Sequence, residues 1–136
     1  MINPSIAFAA NNQGLSLPID PVIPAVIPLP DVQMLGDITV DGTNTEFTIA
    51  VPGMYRIAYF VNISPADEFA SMLLINGTQY IPSMVDIGGD VNTNATEVLV
   101  TLAAGDTISL ALIGASATLT LSEGSGAVLV VQQIGA

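Results

Sequence analysis

Twelve carboxylates, one guanidinium (Arg56) and three phenols are the ionisable side chains this chain brings to any reaction; histidine, cysteine and lysine are absent. Nucleophilic catalysis requires a base held beside the nucleophile. With none of the usual bases present, every common triad is excluded. Two carboxylates can still divide acid and base roles, as in glycosidases and aspartic proteases. Asp41-Gly42-Thr43 holds the residues of an aspartic-protease loop in the wrong order, at a place where Asp and Gly form turns anyway. We expect no enzyme and no cofactor. Oxygen-rich loops can bind calcium, and Asp86-Ile87-Gly88-Gly89-Asp90 brings two acids close in sequence. Asp86 and Asp90 are weak metal candidates, because the spacing matches no EF-hand and further ligands would have to come from elsewhere. Solvated loop acids are the plainer reading.

Arg56 faces twelve acids alone. It reads either as a partly exposed charge paired with one of them, or as a buried bidentate pair that fixes the register between subunits. Asn62, Asn76 and Asn94 each begin an Asn-x-Ser/Thr triplet, although Asn76 is already explained by the turn it belongs to. The many Ser and Thr residues could carry O-linked sugar. A net charge of −11 excludes a nucleic-acid partner, since phosphate binding needs clustered Lys and Arg. Acidity of this kind serves solubility and mutual repulsion of folded particles.

The elements that must position these groups are strands. Residues 47–63, FTIAVPGMYRIAYFVNI, read as two strands joined by a tight turn, and the second is the longest strand-like run in the chain. Tyr55, Ile57, Tyr59, Val61 and Ile63 fall on one face and Arg56, Ala58, Phe60 and Asn62 on the other. Both faces are largely apolar, which marks a central strand covered on both sides. Further strands are expected at 5–10, 34–40, 46–50, 69–75, 78–81, 95–102, 107–113, 117–121 and 127–134. Asp41-Gly42-Thr43-Asn44 and Asn76-Gly77 are hairpin signals. No window sustains a helical period, and turn signals recur every 8–12 residues as in a sandwich or barrel. The expected fold is all-β: a ten-stranded jelly-roll sandwich of two antiparallel sheets, forming a single domain over residues 1–136. In residues 15–31, Pro18, Pro21, Pro24, Pro28 and Pro30 rule out helix and central strand. That segment should run extended and lie against the domain or a neighbouring subunit, because Ile19, Val22, Ile23, Val26, Ile27 and Leu29 are too apolar for a free linker.

Only 10% of residues are charged and 51% are hydrophobic, against about 25% charged in ordinary soluble domains. Continuous apolar surface usually marks a partner. No run approaches the roughly 20 apolar residues of a spanning helix, and the aromatic girdles of a membrane barrel are missing. Met1 to Ala10 shows neither the basic start nor the long apolar centre of a secretory signal. Composition therefore points to an oligomer.

Several stretches together resemble one family. F-T-I-A-V-P-G-M-Y, from Phe47 to Tyr55, resembles the F-x-x-x-x-x-G-x-Y signature of the complement-q and tumour-necrosis-factor-like heads, and I-A-F-A-A resembles their first strand. L-L-I-N-G-T, L-A-A-G-D-T-I-S-L and the ending A-T-L-T-L-S-E-G-S-G-A-V-L-V-V-Q-Q-I look most like the C-terminal domain of BclA, the collagen-like exosporium glycoprotein of Bacillus. The resemblance runs from Ile6 onward. It implies a jelly roll that assembles as a homotrimer, caps a collagen-like stalk and faces outward from a spore or cell surface. The chain holds no Gly-X-Y repeat, so any stalk lies outside it, and its proline-rich segment is longer than the family pattern leads one to expect. The resemblance further implies an inner sheet made of the first strand, the central strand, 107–113 and 127–134. Phe8, Tyr55, Ile57, Tyr59, Val61, Leu110, Leu112, Val128 and Val130 are then the trimer-interface candidates, with Arg56 as the register candidate. The alternative reading is a lectin-like or receptor-binding tip of an adhesin or phage fibre, and a third is a small jelly-roll enzyme.

Overall fold

A computed structural model describes residues 5–67, 69–85, 91–114 and 117–135. Among them are eleven strand segments and no helix: β1 (Ile6–Ile19), β2 (Ala25–Val26), β3 (Val32–Leu35), β4 (Thr39–Val40), β5 (Phe47–Thr48), β6 (Gly53–Asp67), β7 (Ala70–Ile75), β8 (Thr78–Val85), β9 (Val91–Leu102), β10 (Thr107–Ile113) and β11 (Ala117–Gly135). They form two antiparallel sheets. The first has the order β3-β1-β11-β6-β9 and the second β4-β5-β10-β7-β8, with β2 added alongside β10. The all-β sandwich is as expected.

The two sheets bury one another's inner faces. From β6 come Tyr55, Ile57, Tyr59, Val61 and Ile63; from the second sheet come Phe47, Leu73, Ile108, Leu110 and Leu112, and all are buried in one cluster. Each large aliphatic side chain so enclosed contributes about 1.5–3 kcal/mol. The period-2 alternation along β6 arises because its odd positions point into this layer and its even positions point away.

The strand boundaries differ from the sequence expectation in instructive ways. β1 does not end at Asn11-Asn12-Gln13-Gly14; a bulge between Asn11 and Gln13 absorbs those residues and the strand continues to Ile19 against β11. Pro18 sits within it, opposite Thr118, where β1 has only β11 as a neighbour because β3 pairs no further than Ala7 to Ala10. A proline is tolerated there since the open edge asks for no donor. The expected strands 117–121 and 127–134 are one strand, β11, with an irregularity between Leu121 and Ala127 rather than a reversal. Residues 34–40 instead divide between the sheets as β3 and β4, with Ile38 buried at the crossing. Phe47–Thr48 likewise lies in the second sheet and β6 in the first, so Pro52-Gly53 carries the chain between sheets rather than closing a hairpin. β6 extends to Asp67, past residue 63 where the strand-like run ends in the sequence. Strand β10 also belongs to the second sheet, between β5 and β7; the first sheet takes β9 in its place.

Residues 20–31 lie against the body of the domain. Ile27 and Leu29 are fully buried, and Ile27 N–H donates to the Leu110 carbonyl at 2.8 Å. Asn11 Nδ2 donates to the Pro28 carbonyl and Asp31 Oδ2 accepts from Asn12 N–H, which pins the segment to the β1 bulge. Its tip is different: Val22 and Ile23 remain exposed, held in a turn by Asp20 Oδ1, which accepts both of their N–H groups.

The outward face of the five-stranded sheet

Directly opposed residues in an antiparallel ladder share a face, so the registers of the first sheet define its outer surface. One row runs Met34, Phe8, Val130, Ala58, Glu97 across β3, β1, β11, β6 and β9. The next runs Val32, Ala10, Val128, Phe60, Ala95, and the one before it Ile6, Gln132, Arg56, Leu99. At the usual strand spacing this surface is about 20 Å wide. Met34 is 65% exposed, Leu99 56% and Ile6 44%, while Phe8, Phe60, Val128 and Val130 are half-buried. Further along, beyond Phe60 and Val128, Asn62, Thr93, Ser16, Thr118 and Thr120 replace the apolar residues. The face thus has a dry half next to the chain termini and a hydroxyl-rich half away from them.

Arg56 stands at the dry half. Its Nε donates to Glu97 Oε2 at 2.7 Å and its Nη1 reaches Gln132 Oε1 at 3.5 Å. The pair is part-exposed, 37% for Arg56 and 52% for Glu97, so in a single chain it is worth little.

The interface candidates separate into two sets. Phe8, Val128 and Val130 do lie on this outer face. Tyr55, Ile57, Tyr59 and Val61 do not: they are buried within one chain, between the sheets. Leu110 and Leu112 are buried too, on the second sheet. None of these six is open to another copy, which corrects the expectation. The tyrosines are held inward by partners from their own chain. Tyr59 Oη lies 2.8 Å from Ser71 Oγ and donates to the Ser83 carbonyl at 2.7 Å, and Tyr55 Oη donates to the Val51 carbonyl at 2.5 Å. Burial raises the Tyr59 phenol above its ordinary value, partly offset by the Ser71 hydrogen bond. Phe60, Ala58, Leu99 and Met34 are the residues sequence reasoning missed. A signal for Phe60 and Ala58 was available: a guanidinium cannot sit in an unpaired dry core, so the Arg56 face of β6 had to be the outer one, and both share it.

Asp86 and Asp90 lie outside the described residues. Among the described residues no three His, Cys, Asp or Glu side chains cluster closely enough to hold a metal ion. Of the three Asn-x-Ser/Thr triplets, Asn94 is buried and donates to Ser71 Oγ, Asn62 accepts from Thr93 Oγ1, and Asn76 is held in its turn. A shallow depression beside the termini is lined by Pro52, Gly53, Met54, Thr101, Leu102, Ala103 and Asp106. It offers one carboxylate, no base and no aromatic platform.

The model of the BclA C-terminal domain family matches residues 7–135. No curated protein matches the chain. Among solved structures, rabbit GITRL superposes with a TM-score of 0.59 at 13% identity, covering 88% of this chain and 93% of that one. Pika GITRL gives 0.55 at 15%, covering 90% and 98%, and murine APRIL 0.58 at 16%, covering 88% and 99%. These tumour-necrosis-factor-like jelly rolls share the fold.

Proposed function

Because this chain belongs to the BclA C-terminal domain family, we propose that it is a non-enzymatic structural head that forms a homotrimer through the outward face of its five-stranded sheet. The observation that carries the reading is that face: a half-width of exposed Met34, Leu99 and Ile6 around Phe8, Phe60, Val128 and Val130, on a chain with too few charges to keep such a surface in water. Two further copies supply the cover that the strand pattern of β1, β6 and β11 demands. Residues 1–136 act as one jelly-roll domain, with 15–31 as an extended segment.

Arg56 and Glu97 enter the interface as a paired charge. The pair is made within one chain, so what covers it must offer polar partners to its remaining donors and lone pairs; copies out of register would lay apolar residues on it, and in this way the pair sets the register of the subunits. Both ends of the described chain, Ser5 and Gly135, lie at the Gly53 end of the sandwich, since Gln133 N–H donates to the Ser5 carbonyl and Gly135 pairs with Met54. A filament, collagen-like or otherwise, would join the head there and present the opposite loops outward. On this reading the protein stands on a bacterial spore surface, the exosporium, or on another extracellular surface, and needs no cofactor. Among the described residues no helix is long and apolar enough to cross a membrane.

Light scattering tests the assembly: a mass of about 42 kDa, three times the 13.9 kDa chain, is expected. A concentration-independent 13.9 kDa species would refute it. A glycan array tests the role, since a structural cap gives no consistent ligand whereas a lectin-like tip does.

A further inference from the structure

We propose that Asn76 is a self-modifying site, a position where the chain deamidates itself and in doing so breaks a latch between two turns of the second sheet. Of eight asparagines, Asn76 alone precedes a glycine. Asn76 and Gly77 form the exposed β7–β8 turn with φ of 54° and 79°, and nothing lies within 4 Å of where a Cβ on Gly77 would be, so no side chain covers Gly77 and water reaches the turn.

The surroundings of the Asn76 amide are arranged for its chemistry. Thr107 N–H donates to Asn76 Oδ1 at 3.0 Å, and Asn76 Nδ2 donates to Asp106 Oδ1 at 3.1 Å. When the Gly77 nitrogen adds to Asn76 Cγ, a C–N bond forms and negative charge develops on Oδ1, the atom the Thr107 N–H already holds. The proton that Gly77 N gives up passes through solvent water to the leaving nitrogen, and the Asp106 carboxylate, which already accepts from that nitrogen, stabilises the positive charge that builds there. The Cγ–Nδ2 bond then breaks, ammonia departs, and a succinimide remains; water opens it at one carbonyl or the other to aspartate or isoaspartate.

The product cannot rebuild the latch. A carboxylate at 76 would face Asp106 across the distance of the former hydrogen bond, and two like charges that close cannot both ionise without cost. Asp106 is also the residue that closes the neighbouring turn, accepting Ala103 N–H through Oδ2 at 2.8 Å, and its carboxyl is held below the ordinary value by that bond and by the Asn76 amide. Deamidation therefore loosens the junction of β7, β8 and β10 at the end of the sandwich where the chain termini lie.

The test is incubation of the purified protein at pH 8.5 and 37 °C, followed by peptide mapping and enzymatic isoaspartate methylation. The expected result is a one-dalton gain with isoaspartate at Asn76 before any of the other seven asparagines, several-fold slower in Asp106→Asn. Modification elsewhere first, or the same rate in Asp106→Asn, overturns the site. Asn76→Asp, which mimics one product, should melt below wild type at pH 7.5, converge towards it near pH 4, and recover when combined with Asp106→Asn. Equal melting of Asn76→Asp and wild type at pH 7.5 overturns the latch.

Discussion

At the scale of single residues, Tyr59 shows how a polar group is made safe in this core. Its hydroxyl joins Ser71, the Ser83 carbonyl and, through Ser71, the Asn94 amide, while Ser83 Oγ itself accepts Leu73 N–H at 2.8 Å. Tyr59→Phe removes one member and strands the Ser83 carbonyl without its donor. A loss of about 1–3 kcal/mol is expected, read as a drop of several degrees in melting temperature. The same residue carries a pH signature. Burial raises the folded-state pKa of the phenol, so the unfolded chain ionises first, near pH 10. Between that value and the folded one the unfolded state binds fewer protons, and stability falls as pH rises. Tyr59→Phe should melt with a shallower alkaline limb than wild type, and parallel limbs would show that this phenol does not titrate with unfolding. The phenols were legible in the sequence as one face of a strand. Their inward direction could be had from Arg56 on the opposite face, but the groups that satisfy them could not, because Ser71 and Ser83 come together only in the folded second sheet.

At the scale of elements, the hairpin turns carried by Asn-Gly and Asp-Gly and the two-sheet sandwich were read correctly, and the sheet to which several strands belong was not. Asn76-Gly77 and Asp41-Gly42 closed the expected turns, Asp41 Oδ1 accepting Thr45 N–H at 3.0 Å, because a turn is decided within four residues. Sheet membership is decided by partners that are mostly remote in sequence, β7, β5 and β2 for β10 and β1 for β3, so β10 and the two halves of 34–40 were misplaced. Pro52-Gly53 illustrates the difference: it reads as a hairpin turn, yet it is a crossing between sheets where the backbone meets the C-terminal end of β11. A Cβ on Gly53 would stand 2.4 Å from the Gly135 carbonyl oxygen and 2.5 Å from Gln133 Nε2. Gly53→Ala must therefore displace backbone, and a cost of about 1–3 kcal/mol or more follows. Gly42→Ala is the control, since nothing lies within 4 Å of its Cβ position. If thermal melts place the two variants together, the close approach at Gly53 is not what holds that corner. The proline-rich segment yields a parallel test. Leu29 is fully buried, so Leu29→Ala should cost about 2–5 kcal/mol, a loss no free linker would register.

At the scale of the whole molecule, the proposed assembly separates two kinds of apolar residue that the sequence reading had put in one set. Tyr55, Ile57 and Leu110 are buried within one chain, whereas Phe8, Phe60, Val128 and Val130 lie on the outward face that the proposed assembly would cover. Substitution on the outer face should then dissociate copies without unfolding them. Val130 lies at the middle of its row, between Phe8 and Ala58. Val130→Asp would bring three carboxylates to the shared surface, each desolvated without a partner, at a penalty of several kcal/mol per copy. The expected result is a 13.9 kDa species by light scattering that keeps the β-sheet circular dichroism of the parent. Persistence of the 42 kDa particle would place the interface elsewhere, and loss of the sheet signal would show that Val130 serves the single chain instead. Arg56→Met completes the argument. On a monomer the variant removes a part-exposed ion pair and should change melting by less than about 1 kcal/mol. Within a trimer it leaves Glu97 buried and unpaired, and the cost rises to about 3–5 kcal/mol. The combined variant Arg56→Met with Glu97→Met should recover the melting temperature while losing fidelity of assembly, seen as mixed particle sizes. An Arg56→Met variant of unchanged size and melting would mean that the chain's single cation has no part in setting the register of its copies.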